Sequence, residues 1–373
     1  MEQLSWISYT CLTLAVSFLL TVVMMPQLLK LCRRKGYYDL PNERKVHQNN
    51  IPRLGGVLFA PLMMVAVAAS LVVKISLQSM SVPFVSLSVG FVLTGTFLIY
   101  LIGLLDDLYG LKASLKFGIQ LFVSLFLPFC GLYVHNLYGL FGLYELPYWF
   151  AYPLTVFVSL LIVNAINLID GIDGLSSGLS LMAIFVFGTL FFRHEMYFYT
   201  LYCAGLFGTV AGFFLYNMFG NAEKGTKTFM GDTGSLTLGY ALTFMSIRYM
   251  MTCTATRPND MHNTALLVPY TLLLVPCFDL VRVSLMRLWH RVSIFHPDKT
   301  HIHHKCMQAG FSMRCTLCII LFLQAAFGGL NWLLVLADAS ISVIVLTDIA
   351  LFVLFNVYLN MQIRRQTHTH NSL

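Results

Sequence analysis

Residues 84–110 read FVSLSVGFVLTGTFLIYLIGLLDDLYG, an uncharged run over 84–105 closed by Asp106-Asp107. A helix needs about 20 apolar residues to cross a hydrocarbon core roughly 30 Å thick, and this run supplies them with two acids at one end. Outward from it, ten further segments qualify: 4–31, 57–73, 115–134, 151–168, 175–192, 196–219, 236–251, 265–285, 316–336 and 341–361. The expected fold is therefore an all-α polytopic membrane protein of about eleven transmembrane helices, a single domain over 1–373.

Composition points the same way. Of 373 residues, 58% are hydrophobic and only 10% charged, against about 25% charged in soluble domains, so a soluble globule is excluded. A net charge of +7 would suit nucleic acid if the basic residues formed a stripe on a soluble face, but they fall between the apolar runs. With the N-terminus outside, all but Lys74, Arg193, Arg248 and Arg257 of the 23 Lys and Arg face the cytoplasm, as the positive-inside rule requires. An odd number of spans then places the C-terminus, with Arg364 and Arg365, in the cytoplasm as well. The first run lacks a basic n-region and is followed by Arg33-Arg34-Lys35, so a retained helix is expected rather than a cleaved signal. The outside segment 135–150 carries Tyr138, Phe141, Tyr144, Tyr148 and Trp149, which suits the headgroup level. Most of the nine Cys read as packing residues. Cys306, Cys315 and Cys318 follow three histidines and allow a zinc reading, which is disfavoured because Cys315 and Cys318 open an apolar helix.

Ionisable groups at a membrane face are costly unless solvated or paired, so each is a candidate for function. The acids gather on the cytoplasmic side: Asp106 and Asp107 after the third span, Asp170 and Asp173 after the fifth, Asp232 before the eighth, Asp279 near the end of the ninth. Adjacent helical residues point about 100° apart, so Asp106 and Asp107 are expected to do different work, one on a cation and one on a proton. In Asn164-Ala-Ile-Asn167-Leu-Ile-Asp170-Gly171-Ile-Asp173-Gly174 the polar residues recur every third position on one helical face, and the glycines let a ligand approach the backbone. Phe229-Met-Gly231-Asp232-Thr233-Gly234-Ser235 opens an apolar helix, where free N–H groups form either a capped end or an anion site. His296-Pro-Asp298-Lys299-Thr300-His301-Ile-His303-His304-Lys305 is rich in groups that suit phosphate oxygens.

Together these motifs resemble the polyprenyl-phosphate N-acetylhexosamine-1-phosphate transferases, the membrane superfamily that includes the phospho-N-acetylmuramoyl-pentapeptide transferase. The first loop adds Asp39-Leu-Pro41-Asn-Glu-Arg44-Lys45-Val-His47 and Pro52-Arg-Leu-Gly55-Gly56 to the likeness. The His301-Ile-His303-His304 loop resembles the branch that starts O-antigen, common antigen and teichoic acid linkage units. The resemblance implies ten or eleven helices around a cytoplasmic cleft in the bacterial inner membrane, formed by loops 32–56, 105–114, 169–174, 220–235 and 287–315. It implies Mg²⁺ (or Mn²⁺), a UDP-N-acetylhexosamine donor, here UDP-GlcNAc in first place, and undecaprenyl phosphate as acceptor.

On that basis Asp232 is expected to hold the metal and Asp106, ahead of Asp107, to act as base. Asp170, Asp173, Asn164 and Asn167 would orient the uridine, the ribose and the metal, and Phe229 would stack on uracil. His301, His303 and His304 would contact the donor phosphates. The muramoyl branch has a Lys where Gln48 stands, so Arg44, Lys45 or His47 would take that phosphate contact. A proton-coupled transporter is the rival reading, since acids and Pro-interrupted helices also mark transport paths. The acids at one face and the lack of an internal repeat weigh against it.

Overall fold

A computed structural model describes residues 2–39, 51–78, 87–256, 262–293 and 299–371. After α1 (Glu2–Lys35), an antiparallel ribbon of β1 (Tyr38–Asp39) and β2 (Ile51–Pro52) leads through a 3-10 turn (Gly55–Leu58) into α2 (Phe59–Gln78), α3 (Leu87–Tyr109), α4 (Ala113–Ser124) and α5 (Phe126–Phe129). A hairpin of β3 (Asn136–Leu140) and β4 (Leu143–Glu145) precedes α6 (Tyr148–Ile169), α7 (Leu175–Arg193), α8 (Tyr197–Phe219) and α9 (Gly231–Thr256). The chain closes with α10 (His262–Leu272), α11 (Leu274–Trp289), α12 (Ile302–Gln308), α13 (Met313–Leu336) and α14 (Ile341–Asn371).

Among the described residues, eight helices are long and apolar enough to cross a membrane, namely α1, α2 with its leading turn, α3, α6, α7, α8, α13 and α14. The α10–α11 pair, bent by 70° at Leu273, makes a ninth if counted as one broken span. The other two of the eleven expected segments are helical but differ in kind. Segment 115–134 divides into α4 and the single turn α5. Segment 236–251 lies in α9, whose hydroxyl-rich sequence is less apolar than those eight helices. The reason is its position: α9 packs against α3, α6, α7 and α10 and is buried continuously over 233–247, so protein rather than lipid surrounds it. Three of its buried hydroxyls are satisfied within the helix, Thr237 donating to the Thr233 carbonyl, Thr243 to Gly239 and Ser246 to Leu242, which offsets the cost of burying them.

Close helix contact uses small residues, since lipid supplies no hydrophobic drive between helices. On α8 a Cβ at Gly208 would overlap the Ser17 hydroxyl of α1, and one at Gly212 would lie 2.8 Å from Thr21 Cβ. The two strand pairs depart from the all-α expectation. At 135–150 the hairpin is pinned by buried Tyr138, whose hydroxyl donates to the Met250 carbonyl at 2.9 Å, and by the Phe141 N–H on Ser342 Oγ at 2.7 Å. Phe141, Tyr144, Tyr148 and Trp149 remain exposed.

Candidate active site

The end of α3 and the start of α9 are built into one another. Gly103 allows the approach, since a Cβ there would stand 2.5 Å from Thr233 Cα. Asp107 then caps α9 from outside: its Oδ1 accepts the Asp232 N–H at 2.9 Å, and its Oδ2 accepts the Thr233 N–H at 2.9 Å and the Thr233 hydroxyl at 2.6 Å. A carboxylate on free helix N–H groups is a favourable match of charge to dipole. Its neighbour Asp106 faces elsewhere, with Oδ1 on the Leu111 N–H at 2.6 Å and Oδ2 on the Lys116 ammonium at 2.9 Å. Lys116 also reaches Asp232 Oδ2 at 2.6 Å, and Asn167 donates to Asp232 Oδ1 at 2.5 Å and to Ser235 Oγ at 2.8 Å. Four helices, α3, α4, α6 and α9, thus meet on Asp232 and its neighbours.

The β1–β2 ribbon holds the segment that leads into α9. Phe229 donates its N–H to the Pro52 carbonyl, while Gly55 and Gly56 donate theirs to the carbonyls of Phe229 and Met230. A Cβ on Gly56 would overlap the Gly234 Cα. The Pro52-Arg-Leu-Gly-Gly motif therefore serves as a backbone clamp on Phe229-Met-Gly-Asp.

Beyond Asn167, α6 ends at Asp170, and the chain turns through Gly171 to Gly174, which takes φ +78° and opens α7. Asn217 of α8 bridges that turn to the α9 approach, accepting the Gly174 N–H at 2.7 Å and donating to the Thr228 carbonyl at 2.9 Å. Lys227 pairs with Asp173 at 2.5 Å. These groups surround an open cavity of about 410 Å³ whose wall includes Asn167, Asp170, Asp173, Phe229, Asp232 and His304. Burial, and then the carboxylates of Asp232, Asp173 and Asp107, push the Asp170 carboxyl up to about 8. Asn164 lies a turn deeper and away from the cavity wall, bonded to Gln120 Oε1 and the Leu160 carbonyl at 2.8 Å each.

The His loop is organised from behind by α11. Asp279, buried, accepts from Arg282 at 2.7 Å and from the Ile302 N–H at 3.0 Å, and lies 2.8 Å from His301 Nδ1. His301 and His303 stack in parallel with ring centroids 6.0 Å apart, and His303 meets His304 at 4.2 Å. Of the three, only His304 lines the cavity. His303 is buried against the Gly171 backbone, where desolvation first and the neighbouring His304 second lower its pKa to about 3, so it is neutral at physiological pH. Lys305 ties α12 to α14 through Asn356 Oδ1 at 3.0 Å.

Arg44, Lys45 and His47 lie outside the described residues. Lys116 and Lys227 carry no sign of these pairings in the sequence, where a lysine beside an apolar run looks like any other positive-inside charge. Among the described residues, no three His, Cys, Asp or Glu side chains gather closely enough to hold a metal ion by themselves; Cys306 is buried, while Cys315 and Cys318 are exposed on α13. The oxygen donors at the cavity, chiefly Asp232 with Asp170 beside it, are of the hard type that Mg²⁺ accepts. Mg²⁺ commonly takes one or two carboxylates and completes its shell with substrate phosphate and water, so these residues fit such an ion in the presence of a diphosphate.

A sequence model of glycosyl transferase family 4 matches residues 89–250, the stretch from α3 through most of α9. Over 355 residues the chain is 31% identical to the probable undecaprenyl-phosphate N-acetylglucosaminyl 1-phosphate transferase of Bacillus subtilis (strain 168), covering 93% of this chain and 89% of that protein. It is 29% identical over 305 residues to the undecaprenyl-phosphate alpha-N-acetylglucosaminyl 1-phosphate transferase of Yersinia pestis, covering 81% and 78%. To the protein of the same description in Escherichia coli (strain K12) it is 28% identical over 325 residues, covering 87% and 82%.

Proposed function

The chain belongs to glycosyl transferase family 4, and from that membership we propose that it transfers N-acetylglucosamine 1-phosphate from UDP-GlcNAc to undecaprenyl phosphate. An oxygen of the acceptor phosphate attacks the sugar-bearing phosphorus of the donor, the bond from that phosphorus to the bridging oxygen breaks, and UMP leaves. One pyrophosphate replaces another, and the lipid-linked sugar starts an envelope polysaccharide. The rival reading as a transporter has no support from the relatives.

The observation that carries this reading is the convergence of Asp107, Asp170, Asp173, Asp232 and Lys227 on one cavity wall, with Lys116 and Asp106 joined to Asp232 behind it, from segments far apart in sequence. Phosphoryl transfer asks for positioning and charge neutralisation more than covalent chemistry. Asp232, with Asp170 beside it, would hold Mg²⁺, which when bound supplies charge neutralisation at the donor diphosphate. Phe229 offers a ring for uracil at the cavity wall. His304 faces the donor phosphates directly, and His301 and His303 act on them through the loop they build. Asp107 keeps the start of α9 in place, which leaves Asp106 to take the small proton load of an acceptor phosphate already largely ionised near neutral pH.

Counting α10–α11 as one broken span and adding α4–α5 and α9 gives eleven crossings. The N-terminus is then outside, the C-terminus and the cavity are cytoplasmic, and the donor comes from the cytoplasm of a bacterial cell. The test is UMP release from membranes supplied with undecaprenyl phosphate and a panel of UDP-sugars. UDP-GlcNAc should be used and UDP-MurNAc-pentapeptide refused. Comparable turnover of both would overturn the donor assignment, and UMP release independent of the lipid phosphate would overturn the reaction.

A further inference from the structure

Lys116 occupies the oxygen that a cation at Asp232 would need. Its ammonium lies 2.6 Å from Asp232 Oδ2 and 2.9 Å from Asp106 Oδ2, while the other oxygen of Asp232 is taken by Asn167. Three elements meet on this one positive charge: α3 through Asp106, α4 through Lys116 and α9 through Asp232. Asp232 lines the cavity, and Lys116 meets it from just behind the wall; the aspartate and lysine side chains are 30% and 18% exposed, so neither is sealed off. The lysine can also leave. An ammonium on a four-carbon stem is a mobile point charge, unlike the backbone N–H groups that hold Asp107.

A divalent cation on the same oxygen would stand within a few ångströms of that ammonium, and the two would repel. The nucleotide diphosphate supplies what the site lacks, an anion that gives the ammonium a second place to go. We propose that Lys116 is a positioning residue that makes divalent-cation binding conditional on the donor. Without a nucleotide the ammonium holds Asp106 and Asp232 together and keeps the cation weakly bound. The arriving diphosphate draws the ammonium onto its own oxygens and frees Asp232 Oδ2, so cation and donor enter as a pair. This rests on the reading of Asp232 as metal ligand.

The experiment measures Mn²⁺ binding to the purified full chain by electron paramagnetic resonance, with and without UDP-GlcNAc, after correction for cation held by free nucleotide. Wild type should bind Mn²⁺ at least about tenfold more tightly with the nucleotide present, within the usual range of coupling between sites. Equal affinity in both conditions would overturn the proposal without recourse to any variant. Lys116→Gln should tighten nucleotide-free binding by about the same factor and shrink the coupling, while Lys116→Arg, which keeps the charge, should stay weak. Asp232→Asn separates the two layers of the argument. If it leaves Mn²⁺ binding intact, the metal assignment fails. If it abolishes binding while Lys116→Gln leaves nucleotide-free affinity unchanged, the metal assignment stands and the role of Lys116 is refuted.

Discussion

Two neighbouring acids with different partners make the residue scale testable. Asp106 and Asp107 are adjacent on α3, yet Asp107 spends both oxygens on the start of α9 and Asp106 faces Lys116. Asp106→Asn and Asp107→Asn should each lower turnover by at least about a hundredfold, the scale of acid–base and electrostatic groups. Asp107→Asn should also destabilise the fold more than Asp106→Asn, by about 1–3 kcal/mol, because an amide N–H₂ would face N–H donors left without an acceptor. Thermal unfolding in detergent decides; equal unfolding temperatures for the two variants would contradict the capping role. Asp170 gives a pH dependence. Its carboxyl, ordinarily near 3.8, is raised to about 8 in the folded protein, so the stability it contributes is full below 3.8 and is lost as pH rises through 8. Asp170→Asn holds the site neutral at all pH values. In metal-free protein it should raise the unfolding temperature more at pH 8 than at pH 5, while lowering turnover, the exchange of stability for function expected where like charges are crowded. A gain of the same size at both pH values would contradict the raised pKa.

Between elements, the contact that places the chemistry is α3 against α9, closed where Gly103 meets the Thr233 backbone. Backbone cannot yield as the tip of a flexible side chain can. Gly103→Ala should therefore part the two helices, cost about 1–3 kcal/mol as overpacking does, and withdraw Asp107 from the α9 terminus with loss of turnover. Gly90 lies on the same helix, and among the described residues nothing stands within 4 Å of a Cβ placed there, so Gly90→Ala should be near-neutral in both stability and turnover. Similar behaviour of the two variants would show that this helix contact does not position the site.

At the scale of the whole molecule, the orientation can be checked without measuring activity. A Cys introduced at Asn136, in a background with the exposed Cys11, Cys315 and Cys318 replaced, should react with an impermeant thiol reagent in intact cells. Reaction only after permeabilisation would invert the topology. The hairpin around that position is held to α9 by Tyr138 and to α14 by Ser342. Its aromatic tip is exposed, as an interfacial anchor should be.

Much of this molecule was legible one residue at a time, because burial in lipid is read locally: about 20 apolar residues make a span wherever they occur. That logic found the helical class, the apolar run before Asp106-Asp107 and the acids that merited explanation. Among the described residues, each of the eight helices long and apolar enough to cross a membrane falls on a segment it marked. Two segments needed the packed molecule to explain them: α9 is shielded by other helices and so is free to carry Thr, Ser and Gly, and the ninth segment, interrupted by Pro276, breaks by 70° at Leu273. Which groups meet was beyond that logic. Lys116 and Asp232 are 116 residues apart, and no local pattern distinguishes a lysine that neutralises two carboxylates from one that merely marks the cytoplasmic side. The three-residue spacing aligned Asn164 with Asn167 and Asp170, but cavity depth decided that Asn164 turns to Gln120. The His run announced a phosphate site, yet a carboxylate on α11 decides that His301 is held from behind while His304 meets the cavity. Hydropathy and turn chemistry are properties of a segment; pairing of charges in a low-dielectric site depends on distances that only the packed helices set.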